Sequence, residues 1–189
     1  MNATDILNKI SKLYNECNYY SDTGKIQFYS SSSSCLEVRS PVSFKTQYHK
    51  PYQFSLIWSQ DGCTDSISSD GKSVFKKDFD MNEPERIDAK GRIERKISKI
   101  ISVTTGTSYL LSHIILCLLM PEVSGLNVSR FEKPIILGRE KINGFDCINL
   151  EVDSDIQLSI REDTSTIVAI NHSLGEEISK ILFDVVEMN

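Results

Sequence analysis

The chain lacks several features that would assign it to a common functional class. Its 189 residues include 21 basic and 26 acidic side chains, a formal net charge of −5, so no global basic field is available to attract nucleic acid. None of the five cysteines lies in a CxxC pair, so a zinc or thioredoxin-type site has no support. We therefore expect no nucleic-acid partner, no metal and no cofactor. Five is an odd number of cysteines, so at least one thiol stays unpaired within the chain, and a disulfide among the others is left open.

Long apolar runs and a leader are also missing. The longest apolar stretch, Tyr109 to Met120, is shorter than the ~20 residues that a membrane-spanning helix needs. The first five residues have neither the basic nor the apolar region of a signal peptide. This pattern predicts a cytoplasmic protein if Met1 is the native start, and a periplasmic or cell-envelope protein if a leader has been removed.

Catalytic motifs are absent as well. His49, His113 and His172 lie far apart, and residues 106–110 lack the second glycine of a GxSxG nucleophile elbow. Glu140 and Asp146 flank a predicted hairpin turn and would form an acid–base pair only if they converged in a cleft. Because a catalytic site needs a convergent constellation, we expect a protein that is not an enzyme.

What the chain does contain is an alternating pattern over residues 42–58. Apolar or aromatic side chains, with one threonine among them, occupy every second position on both sides of a Lys50-Pro51 link: Val42, Phe44, Thr46 and Tyr48, then Tyr52, Phe54, Leu56 and Trp58. Successive side chains of a strand point to opposite faces of its sheet, so this pattern predicts two antiparallel strands with one aromatic-rich face.

The first third of the chain predicts a helix followed by strands and turns. Thr4 is a candidate N-cap for a helix that ends near Asn18 and whose apolar stripe packs against the sheet. We expect turns at residues 20–24, at the serine run 30–34, and at Asp70-Gly71, whose two residues suit a hairpin. Residues 80–88 are acidic, contain a proline, and predict a loop.

Two further helices are expected in the middle of the chain. The first is capped by Asp88, has apolar positions that include Ile93, Ile97 and Ile100, and bears basic side chains between Lys90 and Lys99. That basic face is either solvated or contacts an acidic partner or an anionic lipid surface. The second, Tyr109 to Met120, is apolar on all sides and must be buried on all sides; Pro121 ends it.

The last third predicts a meander of hairpins. Strands are expected at 135–142 and 145–152 around Asn143-Gly144, at 156–160, at 167–171 and at 178–186. Hairpins with few helices between them indicate an antiparallel sheet. The composition, 40% apolar and 25% charged, is that of a globular protein, and residues 1–189 are expected to form a single domain.

The order of these elements resembles a known family. A helix comes before Tyr20-Ser21-Asp22-Thr23-Gly24, and the segments Lys50-Pro51-Tyr52-Gln53-Phe54 and Ser69-Asp70-Gly71-Lys72 follow; residues 138–144 then open the last hairpins. In this order the chain resembles the bacterial outer-membrane lipoprotein carriers and receptors, the LolA/LolB-like group, and their lipoprotein-sorting-like relatives. The resemblance implies an α+β fold, a twisted antiparallel incomplete barrel whose concave face is covered by helices and receives acyl chains.

The resemblance also implies a function and a set of site residues. The function is non-catalytic binding or carriage of a lipid, an acyl chain or a lipidated protein in a cavity between the sheet and its lid helices. The candidate ligand-binding residues are Phe44, Tyr48, Phe54, Leu56 and Trp58 from the sheet, with Leu111, Ile114 and Leu118 from the apolar helix. Lys50 stands where the carriers place an arginine that helps to hold the lid, and lysine lacks the planar fork of arginine.

A different function stays open for the same fold. The aromatic face can equally belong to a core filled by the protein's own side chains, which would make the chain a protein-interaction or envelope-sensing module. The basic helix between Lys90 and Lys99 would then be its contact surface for a membrane-associated protein.

Overall fold

The fold is organised around one antiparallel sheet. The computed structural model of the protein describes residues 2–30, 33–87, 91–103, 114–124 and 133–189. The strands are β1 (Tyr19–Ser30), β2 (Ser33–His49), β3 (Gln53–Gln60), β4 (Cys63–Asp70), β5 (Val74–Lys77), β6 (Glu85–Arg86), β7 (Ile135–Ile142), β8 (Phe145–Asp153), β9 (Ile156–Arg161), β10 (Ile167–Leu174) and β11 (Glu177–Met188).

The order of the strands brings the two ends of the chain together. It runs β6-β5-β4-β3-β2-β1-β11-β10-β9-β8-β7, so that the first and last strands pair in the interior of the sheet. Their register extends from Tyr20 opposite Met188 to Ser30 opposite Glu177. Since β6 and β7 are the outer strands and do not pair with each other, the sheet is open. The predicted fold class, an incomplete antiparallel barrel with helices, is confirmed.

The alternating pattern of residues 42–58 forms adjacent parts of β2 and β3. Phe44 lies opposite Trp58, Thr46 opposite Leu56, and Tyr48 opposite Phe54. In residues 39–49 of β2, the buried side chains are Val42, Phe44, Thr46 and Tyr48, as the period of two predicts.

Helices cover the apolar face of the sheet, which we call the concave face. They are α1 (Ala3–Glu16), α2 (Ile93–Val103), a helical segment at residues 114–119, and α3 (Pro121–Ser124). Each contributes side chains to the same hydrophobic core as the sheet. Within the described part of the chain, no helix is long and apolar enough to cross a membrane.

The ends of α1 differ from the prediction. Asn2, not Thr4, is the N-cap: its side chain accepts a hydrogen bond from the backbone N–H of Asp5, and the Asp5 carboxylate accepts one from the Asn2 N–H. This reciprocal pair satisfies two donors at the helix start. The helix ends at Glu16, with extended Cys17 as its C-cap, rather than near Asn18.

Three predicted turns are also corrected. Residues 20–24 belong to β1, where they alternate between the two faces, and do not form a turn. The hairpin after β4 has a three-residue loop, 71–73, because the Asp70 carboxylate accepts hydrogen bonds from the N–H groups of Lys72 and Ser73 at 2.7 and 2.6 Å. The predicted loop 80–88 contains the two-residue strand β6.

The last third follows the prediction closely. Strand β7 has the expected bounds, and Asn143 and Gly144 form the turn with φ values of 51° and 85°. Pro121 lies just beyond the helical segment 114–119, as predicted, but it also begins α3. The predictions for Asp88, Lys90, residues 105–108, Leu111 and His113 lie outside the described residues.

Candidate functional site: the concave face and its helical cover

The aromatic residues predicted from the sequence form the centre of the concave face. Phe44, Tyr48, Phe54 and Leu56 are at most 4% exposed, and Trp58 packs against the same core while staying half-buried. Side chains from two neighbouring strands therefore form a continuous apolar surface that becomes more accessible at its Trp58 end.

The predicted apolar helix lies on this surface. Every residue from Ile115 to Met120 is buried, and Ile114 is half-buried, so the described part of this helix is surrounded by protein as its composition predicts. The Tyr48 hydroxyl has one proton to donate, and it lies 3.1 Å from the carbonyl of Pro51 and 3.4 Å from that of Leu119, so the two carbonyls share it. The structure thus brings Ile114 and Leu118 into the same core cluster as the five predicted sheet residues.

Strands β1 and β11 also contribute to this face, although no site residue was predicted in either strand. The Phe44 ring meets Phe183 edge-on, with 5.5 Å between their centroids, and Ile26 and Phe28 are fully buried beside them. A signal was present in β1, where Tyr20, Asp22, Gly24, Ile26 and Phe28 recur at every second position. The turn-forming residue types among them concealed this alternation.

One carboxyl group is buried under the concave face. Asp22 is 1% exposed; it accepts hydrogen bonds from the Tyr20 hydroxyl at 2.6 Å and from the Thr46 backbone N–H at 3.0 Å. Loss of solvation raises the pKa of Asp22 from its ordinary value of 3.8 to about 6, although the bonds from Tyr20 and Thr46 act in the opposite direction. The core therefore contains a group that titrates in mildly acidic solution.

Helix α1 is fixed to the sheet by buried and exposed contacts. The Tyr14 hydroxyl accepts a hydrogen bond from the Ile167 N–H at 3.0 Å, and its ring lies 5.5 Å from that of Tyr20. Burial raises the pKa of both tyrosines, so they stay protonated. Next to the helix, the Asn18 N–H donates to the carbonyl of Asn189 at 2.8 Å, which ties the start of β1 to the end of the chain.

The candidate lid residue Lys50 also contacts this helix. Its ammonium group donates to the carbonyl of Asn15 at 2.8 Å, and its backbone N–H donates to Asn18 at 2.9 Å. Lys50 therefore holds the carboxyl end of α1 in this structure.

A neighbouring tyrosine contacts the other helices. The Tyr52 hydroxyl donates to the Glu94 carboxylate of α2 at 3.2 Å. Burial and the carboxylates of Glu94 and of Glu122, in α3, raise the pKa of Tyr52. Two residues that flank Pro51 thus hold different parts of the helical layer.

Glu140 and Asp146, the acid–base candidates from the sequence, are each engaged by another side chain. Glu140 and Asp146 border one surface recess of about 520 Å³, but Glu140 accepts from Asn149 at 2.7 Å and Asp146 pairs with Lys141 at 3.2 Å. A search of the described residues finds no group of His, Cys, Asp or Glu that could hold a metal ion. Among the described residues, Cys17, Cys63, Cys117 and Cys147 form no disulfide.

These features define an open antiparallel sheet with an apolar concave face under a helical cover. No protein-family model matches the chain, and no curated protein matches its sequence. Solved structures with a similar fold include a LolA-superfamily protein from Nitrosomonas europaea, with 12% identity, a TM-score of 0.44 and coverage of 100% of this chain and 94% of that one. They also include two mycobacterial proteins. Lipoprotein LppX from Mycobacterium tuberculosis has 13% identity and a TM-score of 0.48, and the match covers 96% of this chain and 94% of that one. LprF from Mycobacterium bovis has 11% identity and a TM-score of 0.48, and the match covers 96% of this chain and 91% of that one.

Proposed function

We propose that the protein binds a hydrophobic ligand, such as a lipid or the acyl chain of a lipidated protein, between the concave face and its helical cover, without catalysing a reaction. The observation that carries this proposal is that both sides of that interface are apolar. Leu56 and Phe54 face it from the sheet, and residues 115–120 are buried in it from the cover. When an acyl chain enters the interface, contacts between the sheet and the cover are replaced by contacts with the acyl chain. The side chains stay in apolar surroundings, so this replacement costs little hydrophobic free energy.

The way the helices are attached indicates which of them moves. Helix α1 is held by Tyr14, Lys50 and the backbone next to Asn18. We define the cover as α2, residues 114–119 and α3. Among the described residues, the Lys96 ammonium of α2 donates to the Lys72 carbonyl at 3.5 Å, and the hydroxyls of Tyr48 and Tyr52 join the cover to the sheet and its β2–β3 turn at 3.4 and 3.2 Å. The two hydroxyl distances are long for O–H···O hydrogen bonds, whose usual length is about 2.7–2.8 Å. The cover is therefore the part that separates to admit a ligand.

The proposed site comprises the residues predicted from the sequence. They are Phe44, Tyr48, Phe54, Leu56, Trp58, Ile114 and Leu118, together with Leu111, which lies outside the described residues. We place this activity in the periplasm or cell envelope, where acylated proteins and free lipids need a carrier. Lys50 would act by holding α1 in place while the cover moves.

The first test is a titration with palmitate after lipid extraction, followed by the fluorescence of Trp58, the only tryptophan. We expect a saturable change in emission, since Trp58 lies at the accessible end of the concave face. Tyr48→Phe removes the hydroxyl that reaches Leu119 but keeps the ring. Because the cover then separates more easily, this variant should bind palmitate several times faster than the wild type.

Tyr19→Phe is the matched control. Tyr19 begins β1 on the face opposite the concave one, where its ring lies 4.9 Å from that of His49. The Tyr19→Phe variant should therefore bind palmitate at the wild-type rate. If the emission of Trp58 does not change with palmitate or with a palmitoylated peptide, the hydrophobic-ligand proposal fails.

The basic face of α2 favours a second candidate function, contact with an anionic surface or a membrane-associated protein. Arg92, just before α2, and Arg95 and Lys99 on it are exposed. The two arginines border a recess of about 590 Å³ together with Gly91, Glu94 and Glu122. Adjacent cations on one side of a helix are attracted to anionic lipid headgroups.

Reversing the charge of two of these residues tests that candidate. Arg92→Glu combined with Arg95→Glu should abolish co-flotation with vesicles that contain phosphatidylglycerol, whereas Arg139→Glu, which removes an exposed cation from β7, should not. Equal flotation of both variants would remove the support for this function. Vesicles of phosphatidylcholine alone supply the uncharged comparison.

A further inference from the structure

The convex face of the sheet, opposite the helices, carries a polar recess. Its volume is about 400 Å³, and it spans four adjacent strands: β9, β10, β11 and β1. The side chains that border it are Tyr29, Ser154, Asp155, Gln157, Asn171, Ser173, Ile178 and Lys180. That volume lies within the range of small-molecule sites, about 300–1,000 Å³.

The register of the strands arranges these side chains in two rows. Asn171 lies directly opposite Gln157 on one side and Lys180 on the other, so two amides and an ammonium group form the first row. Ile178 lies opposite both Ser173 and Tyr29 and forms the second row with them. Neighbouring strands are about 4.8 Å apart, so the groups of one row are spaced at that interval.

The first row is available to a ligand. Gln157, Asn171 and Lys180 are half-buried, and among the described residues their side chains make no hydrogen bond or ion pair. Asp155, at the end of the recess, is by contrast engaged with His172 at 3.5 Å. An amide side chain both donates and accepts hydrogen bonds, and so does a sugar hydroxyl.

The second row adds an apolar element beside these polar groups. The Tyr29 ring and the Ile178 side chain offer a surface for the C–H groups of a sugar ring and for a methyl group. An acetamido substituent has a methyl, an N–H and a carbonyl, which match an apolar side chain next to an amide. A fully apolar ligand would leave the amides and the ammonium group of the first row without hydrogen-bond partners. A highly charged anion would find only one cation, Lys180, in that row.

We propose that this recess binds a carbohydrate built of N-acetylated sugar rings. The N-acetyl methyl group packs against Ile178, a ring lies against Tyr29, and Asn171 and Gln157 hydrogen-bond the amide and hydroxyl groups. Because the recess lies on the convex face, this activity is independent of hydrophobic-ligand binding under the cover, and each can fail without the other.

The test is isothermal titration of the intact protein with N,N′,N″-triacetylchitotriose, a chain of three N-acetylglucosamine rings, which we call chitotriose below. We expect saturable binding that Asn171→Ala weakens about tenfold, the effect of losing hydrogen bonds worth together about 1.4 kcal/mol. Tyr29→Ala should weaken it by a similar factor. Gln47→Ala, on the convex face of β2 and away from the recess, is the matched control and should bind like the wild type.

Cellotriose separates the two parts of the proposal, since it has the same ring size without the acetamide. We expect it to bind at least several-fold more weakly than chitotriose. Equal binding of the two sugars would overturn the N-acetyl assignment. No saturable binding of chitotriose, or wild-type affinity in a folded Asn171→Ala variant, would overturn the site.

Discussion

Asp22→Asn is expected to stabilise the protein at pH 7.5 by up to about 3 kcal/mol. The carboxylate of Asp22 is buried and accepts hydrogen bonds from Tyr20 and from both the backbone and the side chain of Thr46, and no cation among the described residues stabilises it. Its pKa rises from 3.8 to about 6. A change of one pKa unit corresponds to about 1.4 kcal/mol, so the ionised group disfavours the folded state by about 3 kcal/mol. Asparagine keeps the acceptor for Thr46 and removes the charge.

The sign of this effect fixes its pH dependence. Between pH 3.8 and 6 the folded state binds the Asp22 proton more tightly than the unfolded state does, so this group lowers stability as the pH rises through that interval. The advantage of Asp22→Asn over the wild type should therefore be small at pH 4, grow up to about pH 6, and stay constant above it. Urea unfolding at a series of pH values measures this difference.

Asp184→Asn is the control for the loss of one negative charge, because Asp184 is exposed on β11. Its difference from the wild type should stay near zero over the same pH range. A stability difference for Asp22→Asn that does not vary with pH, or a loss of stability at pH 7.5, would contradict the role given to the buried charge.

Gly24→Ala is expected to destabilise the protein by about 2–3 kcal/mol, the usual cost of overpacking a core. A Cβ atom at position 24 would overlap the backbone carbonyl of Leu182 in the paired strand β11 and would lie 2.6 Å from the Phe44 ring. Because a backbone carbonyl cannot move aside as a flexible side chain does, the pairing of β1 with β11 must shift. Thermal or urea unfolding measures the loss.

Gly62→Ala separates this steric effect from the general cost of replacing a glycine. Gly62 has φ +83° at the β3–β4 turn and open space around its Cα, so alanine there costs only backbone strain, about 1 kcal/mol. Equal losses at both positions would show that the close approach of β1 and β11 is not what requires Gly24.

The parts of the site that the sequence predicted are those set by local patterns. The alternation around Phe44 and Leu56 depends on the two-residue period of a strand, and the burial of residues 115–120 follows from a helix with no polar side. The hairpin at Asn143 was predictable because few residues adopt its positive φ as readily as the Asn-Gly pair.

Contacts between distant parts of the chain could not be predicted in the same way. Nothing in the local sequence indicates that β1 pairs with β11, and this pairing brings Phe183 next to Phe44. It also explains the incorrect turn at residues 20–24. Asp and Gly usually favour turns, but here Asp22 is stabilised by Tyr20 and Thr46, and Gly24 fits a crowded strand interior.

The contacts of Lys50 could not be predicted from the local sequence either. Its place before Pro51 drew attention to the turn between β2 and β3, and the turn does join the sheet to its helices. Which helix each residue contacts is decided by tertiary geometry: Lys50 meets α1, and Tyr52 meets α2.

The most direct test of hydrophobic-ligand binding is the rate at which Cys117 reacts with a maleimide, with and without a palmitoylated peptide. Cys117 is buried in the cover, Cys147 is buried in β8 of the sheet, and Cys63 is exposed, so mass spectrometry of the three thiols in one sample separates movement of the cover from unfolding. We predict that the ligand increases the labelling rate of Cys117 several-fold and leaves those of Cys147 and Cys63 unchanged. Unchanged labelling of Cys117 at saturating peptide would contradict a site between the cover and the concave face.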